Sequence, residues 1–212
     1  NTKIEALPFA DESLTLITSQ FAIEYAEPVS AIRSCMRVLK PSGRLEAVIH
    51  HSDTHLSQQS KKLLLLLEKF SSSEFVALIT EFKSCVLALV SAGTENAYRQ
   101  FESVNRELLL VARNLKLRAE QLAVYEDFQD VLAQFASCFV DLSIDTPDKI
   151  TLFLTELGYY RLRLADQVSA AWNIRKATDW LSHLESYNCE ARYKPLYLNR
   201  ELFGWHLSLI KK

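Results

Sequence analysis

The apolar positions of the chain follow three different rhythms. The run Leu14-Thr-Leu-Ile-Thr18 is short, β-branched and apolar, which predicts a buried parallel strand. Pro28 opens a helical pattern in which Val29, Ile32, Met36 and Leu39 share one face, and Pro41-Ser42-Gly43 is expected to stop it. Arg44 to His50 then reads as a second strand, giving a strand–helix–strand unit. From residue 56 to 186 the period becomes helical. Phe75, Leu78, Ile79, Phe82, Val86, Leu89 and Val90 form one stripe, and Ser71 with Glu74 reads as a capping box before it. A second stripe joins Phe101, Val104, Leu108, Val111 and Leu115, and a third joins Phe128, Val131, Leu132, Phe135 and Phe139. Thr146-Pro147 suggests another helix start and Gly158 its stop, with further helices near 160–173 and 176–186. Cys189 to Leu198 and Leu202 to Ile210 return to strand character around Asn199-Arg200-Glu201, as in a hairpin. Pro195 points to an edge or bulge in the first of these strands.

The pieces with strands therefore lie at the two ends of the chain. The expected organisation is an α/β core over 1–55, a helical insertion over 56–175, and a last core helix with a terminal hairpin over 176–212. The long apolar stripes of the insertion could also seal against a second copy of the chain.

Composition narrows the function classes. The 212 residues carry 24 basic and 26 acidic side chains, a balance without the basic excess of a nucleic-acid binder. Cys35, Cys85, Cys138 and Cys189 have no metal-ligand spacing and read as reduced thiols. The apolar run Leu63 to Leu67 is far short of a membrane span, so the expectation is a cytoplasmic protein with no membrane partner. Only Gly43, Gly93, Gly158 and Gly204 occur, and no two are close enough to form a glycine-rich nucleotide loop. The chain begins at Asn1 rather than Met, which suggests a fragment.

Three stretches, in order, resemble the class I S-adenosylmethionine (SAM)-dependent methyltransferases. Leu7-Pro8-Phe9-Ala10-Asp11-Glu12-Ser13-Leu14-Thr15-Leu16-Ile17 resembles the approach to that family's fourth core strand. Arg37-Val38-Leu39-Lys40-Pro41-Ser42-Gly43-Arg44-Leu45 is similar to its helix–turn–strand into the fifth. Leu202-Phe203-Gly204-Trp205-His206-Leu207 resembles its last, antiparallel strand. The resemblance implies the C-terminal part of a Rossmann-like sheet with SAM as cofactor, the glycine-rich motif and first two strands falling before Asn1. It places Ile4 against the adenine and Ser19, Gln20 and Phe21 beside the methionine part. Lys3 stands where such enzymes often have an acidic residue, and Ser42 replaces the first of two glycines.

In open α/β sheets a ligand sits beyond the carboxyl ends of the strands. Those ends are Ser19-Gln20-Phe21 followed by Glu24 and Tyr25, and His50-His51-Ser52-Asp53. Glu24 and Tyr25 become candidate substrate contacts, and the faces of Phe21 or Tyr25 suit a sulfonium. Imidazoles titrate near neutrality, so His50 and His51 are the candidate catalytic bases. Adjacent strand residues face opposite ways, so only one of the two is expected to reach substrate. Metal binding by His50, His51, Asp53 and His55 is disfavoured because the group is local to one segment. The expected activity is methyl transfer to a small molecule. The alternative is a non-catalytic helical binding or dimerisation module on a degenerate scaffold, with a homodimer formed through the insertion.

Overall fold

A four-stranded mixed sheet positions the candidate residues Ser19, Gln20 and His50. In the computed structural model, which describes residues 3–212, its order is β1-β2-β4-β3. Residues 1 and 2, at the start of the expected first segment, lie outside the described residues. Strand β1 (Leu14–Gln20) pairs in parallel with β2 (Leu39–Ile49). Strand β4 (Glu201–Lys211) runs antiparallel to both β2 and β3 (Cys189–Leu198). Helix α1 (Pro28–Val38) connects β1 to β2. Its start is capped by Glu27, whose carboxylate accepts from the backbone N–H groups of Val29 and Ser30.

Several details differ from the sequence-based expectation. Helix α1 ends at Val38 because Leu39 already has extended backbone (φ −71°, ψ 134°), so Pro41-Ser42-Gly43 does not terminate it. That tripeptide is a bulged extension of β2. Leu14 pairs with Leu39 and Leu16 with Arg44, and Ser42 takes a left-handed φ of 63° to absorb the surplus residues. Strand β1 is parallel, as expected, but it is not buried: Leu16 is 52% exposed. Strand β3 is an edge strand holding Pro195, and its irregularity falls between Leu196 and Tyr197. The hairpin turns at Asn199 and Arg200, both at positive φ (50° and 71°), as a two-residue turn with the right twist requires.

The chain divides into two compact units, Asn1–Gln58 with Asp166–Lys212, and Gln59–Ala165. The first holds the sheet. Its core joins Ile32, Met36, Leu45, Ile49, Trp180 and Leu207, and it includes α7 (Ile174–Ser182). The second is helical. It contains α3 (Ser73–Ala92), α4 (Glu95–Gln121), α5 (Tyr125–Ser137), most of α2 (His55–Leu67) and most of α6 (Thr146–Ala170). All three expected stripes contribute buried residues to its core, and a set of phenylalanines lies at the centre. Phe70 meets Phe75, Phe135 and Phe153 at ring-centroid distances of 5.0, 5.6 and 6.2 Å.

Helix α3 is capped by Ser72, which accepts from the Phe75 N–H, and not by Ser71, which belongs to the preceding 3-10 turn. By length and composition α3 is long and apolar enough to cross a membrane; Phe75, Ile79, Phe82, Cys85 and Val86 along it are buried in the helical core. Thr146 does not cap α6: its hydroxyl accepts from the Ser143 N–H. Nor does Gly158 end that helix, which continues to Ala170 and absorbs most of the separate helix expected near 160–173.

Candidate functional site

The parallel pairing of β1 and β2 runs to their carboxyl ends and is extended by a bond from the Phe21 N–H to the Val48 carbonyl at 2.8 Å. Phe21 takes a positive φ of 51°, a strained position for an aromatic residue that turns the chain sharply off the strand. The turn is held by Ser19, whose hydroxyl oxygen accepts from the Ile23 N–H at 3.1 Å. The next residues form a 3-10 turn, Ile23–Tyr25, which drops Ile23 into the core and sets Glu24 against the end of β2.

There Glu24 meets His50. Its Oε1 lies 2.7 Å from His50 Nδ1 and also accepts from the His50 backbone N–H at 3.1 Å. The Glu24 side chain is fully buried and that of His50 nearly so. With Glu24 as a carboxylate, which only accepts, Nδ1 is the donor of this bond and Nε2 is the ring nitrogen left free. The imidazole lies beside Phe21 with the two rings tilted by 36° (centroids 4.3 Å apart), and Tyr25 meets it edge-on at 6.2 Å. Phe203 of β4 completes the aromatic group, 5.5 Å from Phe21. The hydroxyl of Tyr25 is held above its ordinary pKa, first by burial and then by the carboxylates of Glu24 and Asp166.

His51 has other surroundings. It is buried and stacked on Trp205 at 4.4 Å, and its Nδ1 accepts from the Asp53 N–H. Its carbonyl accepts from the hydroxyls of Thr54 and Ser57. Burial lowers its pKa below 6.5, against an opposing pull from Asp53. Of the two histidines, only His50 joins the group at the strand ends.

The remaining sequence candidates divide similarly. Ser19 and Phe21 belong to the strand-end group, and Gln20 is exposed beside them. Ile4 lies in a 3-10 turn and packs half-buried against the sheet unit's core; none of the described contacts joins it to Ser19 or Phe21. Among the described residues, no set of three or more His, Cys, Asp or Glu side chains is placed to hold a metal ion.

Two features were not apparent from the sequence. Arg37 ties the Leu7-Pro8-Phe9 segment to α1. Its guanidinium donates to the carbonyls of Leu7 and Phe9 and pairs with Asp11 at 2.8 Å. Beside Glu24 and Tyr25 there is also an open cleft of about 630 Å³, whose other lining includes Asp166, Trp172, Asp179 and Trp180. Trp172 is carried to it by backbone pairing: its N–H donates to the His50 carbonyl, and its own carbonyl accepts from the Ser52 N–H.

Comparison with known proteins bears on the first part of this unit. Residues 1–47 match the methyltransferase domain family. The resemblance to methyltransferases therefore holds over that stretch. A malonyl-(acyl-carrier protein) O-methyltransferase of Methylococcus capsulatus is 55% identical over 42 residues, a match that spans 19% of this chain and 15% of that protein. No solved structure matches the chain.

Proposed function

We propose that this chain carries part of the active site of a SAM-dependent methyltransferase acting on a small molecule, with His50 as general base. The hydrogen-bonded pair of His50 and Glu24 carries the reading. A buried carboxylate orients the imidazole and fixes its tautomer, at the end of the sheet where ligands of open α/β folds collect. The strand order β1-β2-β4-β3, parallel then antiparallel, supports reading the sheet as the C-terminal part of a Rossmann-like one. On this reading the helices of 59–165 are an insertion between β2 and β3.

The residues present suit one end of SAM. The hydroxyl of Ser19 and the exposed amide of Gln20 would bind the amino-acid part, and the ring of Phe21 suits a sulfonium. The chain's own glycines offer no backbone cradle for the remainder. A Cβ at Gly43 would meet the Lys40 carbonyl at 2.8 Å, and one at Gly204 the Ile49 carbonyl at 2.6 Å, so both glycines serve sheet packing. When bound, SAM supplies an electrophilic methyl. The chain's own part is to align an acceptor and take its proton. Alignment lowers the barrier by fixing reacting groups in advance, and His50 Nε2 receives the proton of a hydroxyl or ammonium acceptor. The relative's named acceptor is not carried over, because the family match ends at residue 47, before His50 and before the residues from 166 onward that line the cleft.

The test is methyl transfer from labelled SAM to a panel of small-molecule acceptors, using the protein that contains this chain. His50→Ala is expected to lower kcat by about 10²–10⁴-fold with SAM affinity nearly unchanged. A wild-type kcat for this variant from pH 6 to 9 would remove His50 as base.

A further inference from the structure

Helix α4 of the helical unit leaves one face uncovered. Val104, Leu108, Leu115 and Ala119 along it are buried in the helical core. Tyr98, Glu102, Leu109, Lys116 and Glu120 recur at helical spacing on another face, and all of them are exposed. Leu109 is 61% exposed, a large apolar side chain in the middle of a charged face. It also borders an apolar hole of about 170 Å³. The α4 lining of that hole is Asn105, Leu108, Leu109 and Ala112. These are the i, i+3, i+4 and i+7 positions that receive one side chain when two helices pack knobs into holes. Phe135 and Phe139 of α5 close the side of the hole.

The charges on this face select its occupant. Glu102 and Lys116 lie equally far from Leu109 on its two sides, about two helical turns each way. Laid antiparallel on a second copy about Leu109, α4 sets Glu102 opposite the partner's Lys116, and two-fold symmetry repeats the pair. The same register sets Tyr98 opposite the partner's Glu120, Arg106 opposite the partner's Ala112 and Arg113 opposite the partner's Asn105. No like charges fall opposite one another. A parallel pairing would instead oppose Glu102 to Glu102 and Lys116 to Lys116. Both charges are available for this. Among the described residues no ion pair includes Glu102, and Lys116 has only Glu120 at 4.0 Å and the ring of Tyr125.

We infer that the helical unit is an interface between two copies of this chain, with α4 antiparallel to its counterpart and each Leu109 seated in the other's hole. The inference narrows the homodimer expected from the sequence to one helix face and one register. It is independent of the proposed function, because the surface holds no residue of the sheet unit. One helix face falls short of the roughly 800 Å² per partner of a standard interface. The dimer is therefore reversible and concentration-dependent.

The experiment is sedimentation equilibrium of the protein that contains this chain, from about 1 to 200 μM. The average mass should rise from monomer towards dimer across that range. Leu109→Asp should weaken association at least about 10-fold. Glu102→Lys and Lys116→Glu should each weaken it about 3-fold or more, because each opposes like charges across the interface. Mixed in equal amounts, these two charge variants should associate again, since both pairs across the interface are then opposite in charge. The three substituted residues are exposed, so each variant should keep the far-UV spectrum of the wild type. Recovery in the mixture separates lost pairing from lost folding. A dimer unaffected by Leu109→Asp would overturn the inference, as would a mixture that associates no better than either variant alone. So would a monomer at every concentration, whether or not its hole takes up a small apolar molecule such as toluene.

Discussion

His50 and His51 are adjacent, yet their surroundings give them different work. His50 lies against a buried carboxylate with Nε2 available. His51 is sealed against Trp205, and burial opposes its charging. That difference has a thermodynamic signature. With the folded pKa of His51 below the unfolded 6.5, the unfolded chain binds the proton first as pH falls. The stability associated with neutral His51 is therefore complete above 6.5 and is lost as pH drops through the folded value. Thermal melts from about pH 7.5 to 5 should show the wild type losing stability faster than His51→Gln, which keeps an acceptor for the Asp53 N–H without titrating in this range. Parallel curves would mean that His51 is not the group responsible. The sequence located both histidines at the rim and required that only one face substrate. It could not say which, because the choice depends on Glu24, 26 residues away.

At the scale of elements, two glycines show how context decides what a pattern means. Gly158 reads as a helix stop, but it lies within α6, and a Cβ there meets nothing within 4 Å. Gly158→Ala should stabilise the protein by about 0.5–1 kcal/mol, because it adds helix propensity and meets no obstacle. Gly204 reads as part of a family motif, and its role is steric: its Cα lies so near the Ile49 carbonyl that a methyl group would overlap it at 2.6 Å. Gly204→Ala should destabilise by about 1–3 kcal/mol. Chemical denaturation of the two variants checks both signs, and a stabilised Gly204→Ala would contradict the packing described. The strands, the hairpin and the apolar faces of α3, α4 and α5 were legible because each rests on local periodicity. The bulge at Pro41-Ser42-Gly43 and the length of α6 were not, since long-range pairing with β1 fixes the first and nothing at Gly158 forces the helix to break. The cleft was illegible for a similar reason: Asp166, Trp172 and Asp179 follow no motif, and their segment is placed by long-range contacts, the pairing of Trp172 with the end of β2 and the packing of Ala177 and Trp180 in the sheet core.

At the scale of the whole molecule, the two compact units have separate hydrophobic cores. One is built on the sheet with Ile32, Leu45 and Leu207, and the other on the helical phenylalanines Phe75, Phe82 and Phe128. A core that satisfies its own apolar surface can melt on its own, and cooperativity between units must come from what joins them. Helices α2 and α6 each contain residues of both units. The tryptophans separate the signals, because Trp172, Trp180 and Trp205 all belong to the sheet unit and none to the helical one. Tryptophan fluorescence therefore follows the sheet unit, while ellipticity at helical wavelengths is dominated by the long helices α3, α4 and α6. With independent cores the two probes should give different midpoints in urea. Coincident curves would mean that the two cores melt as one folding unit.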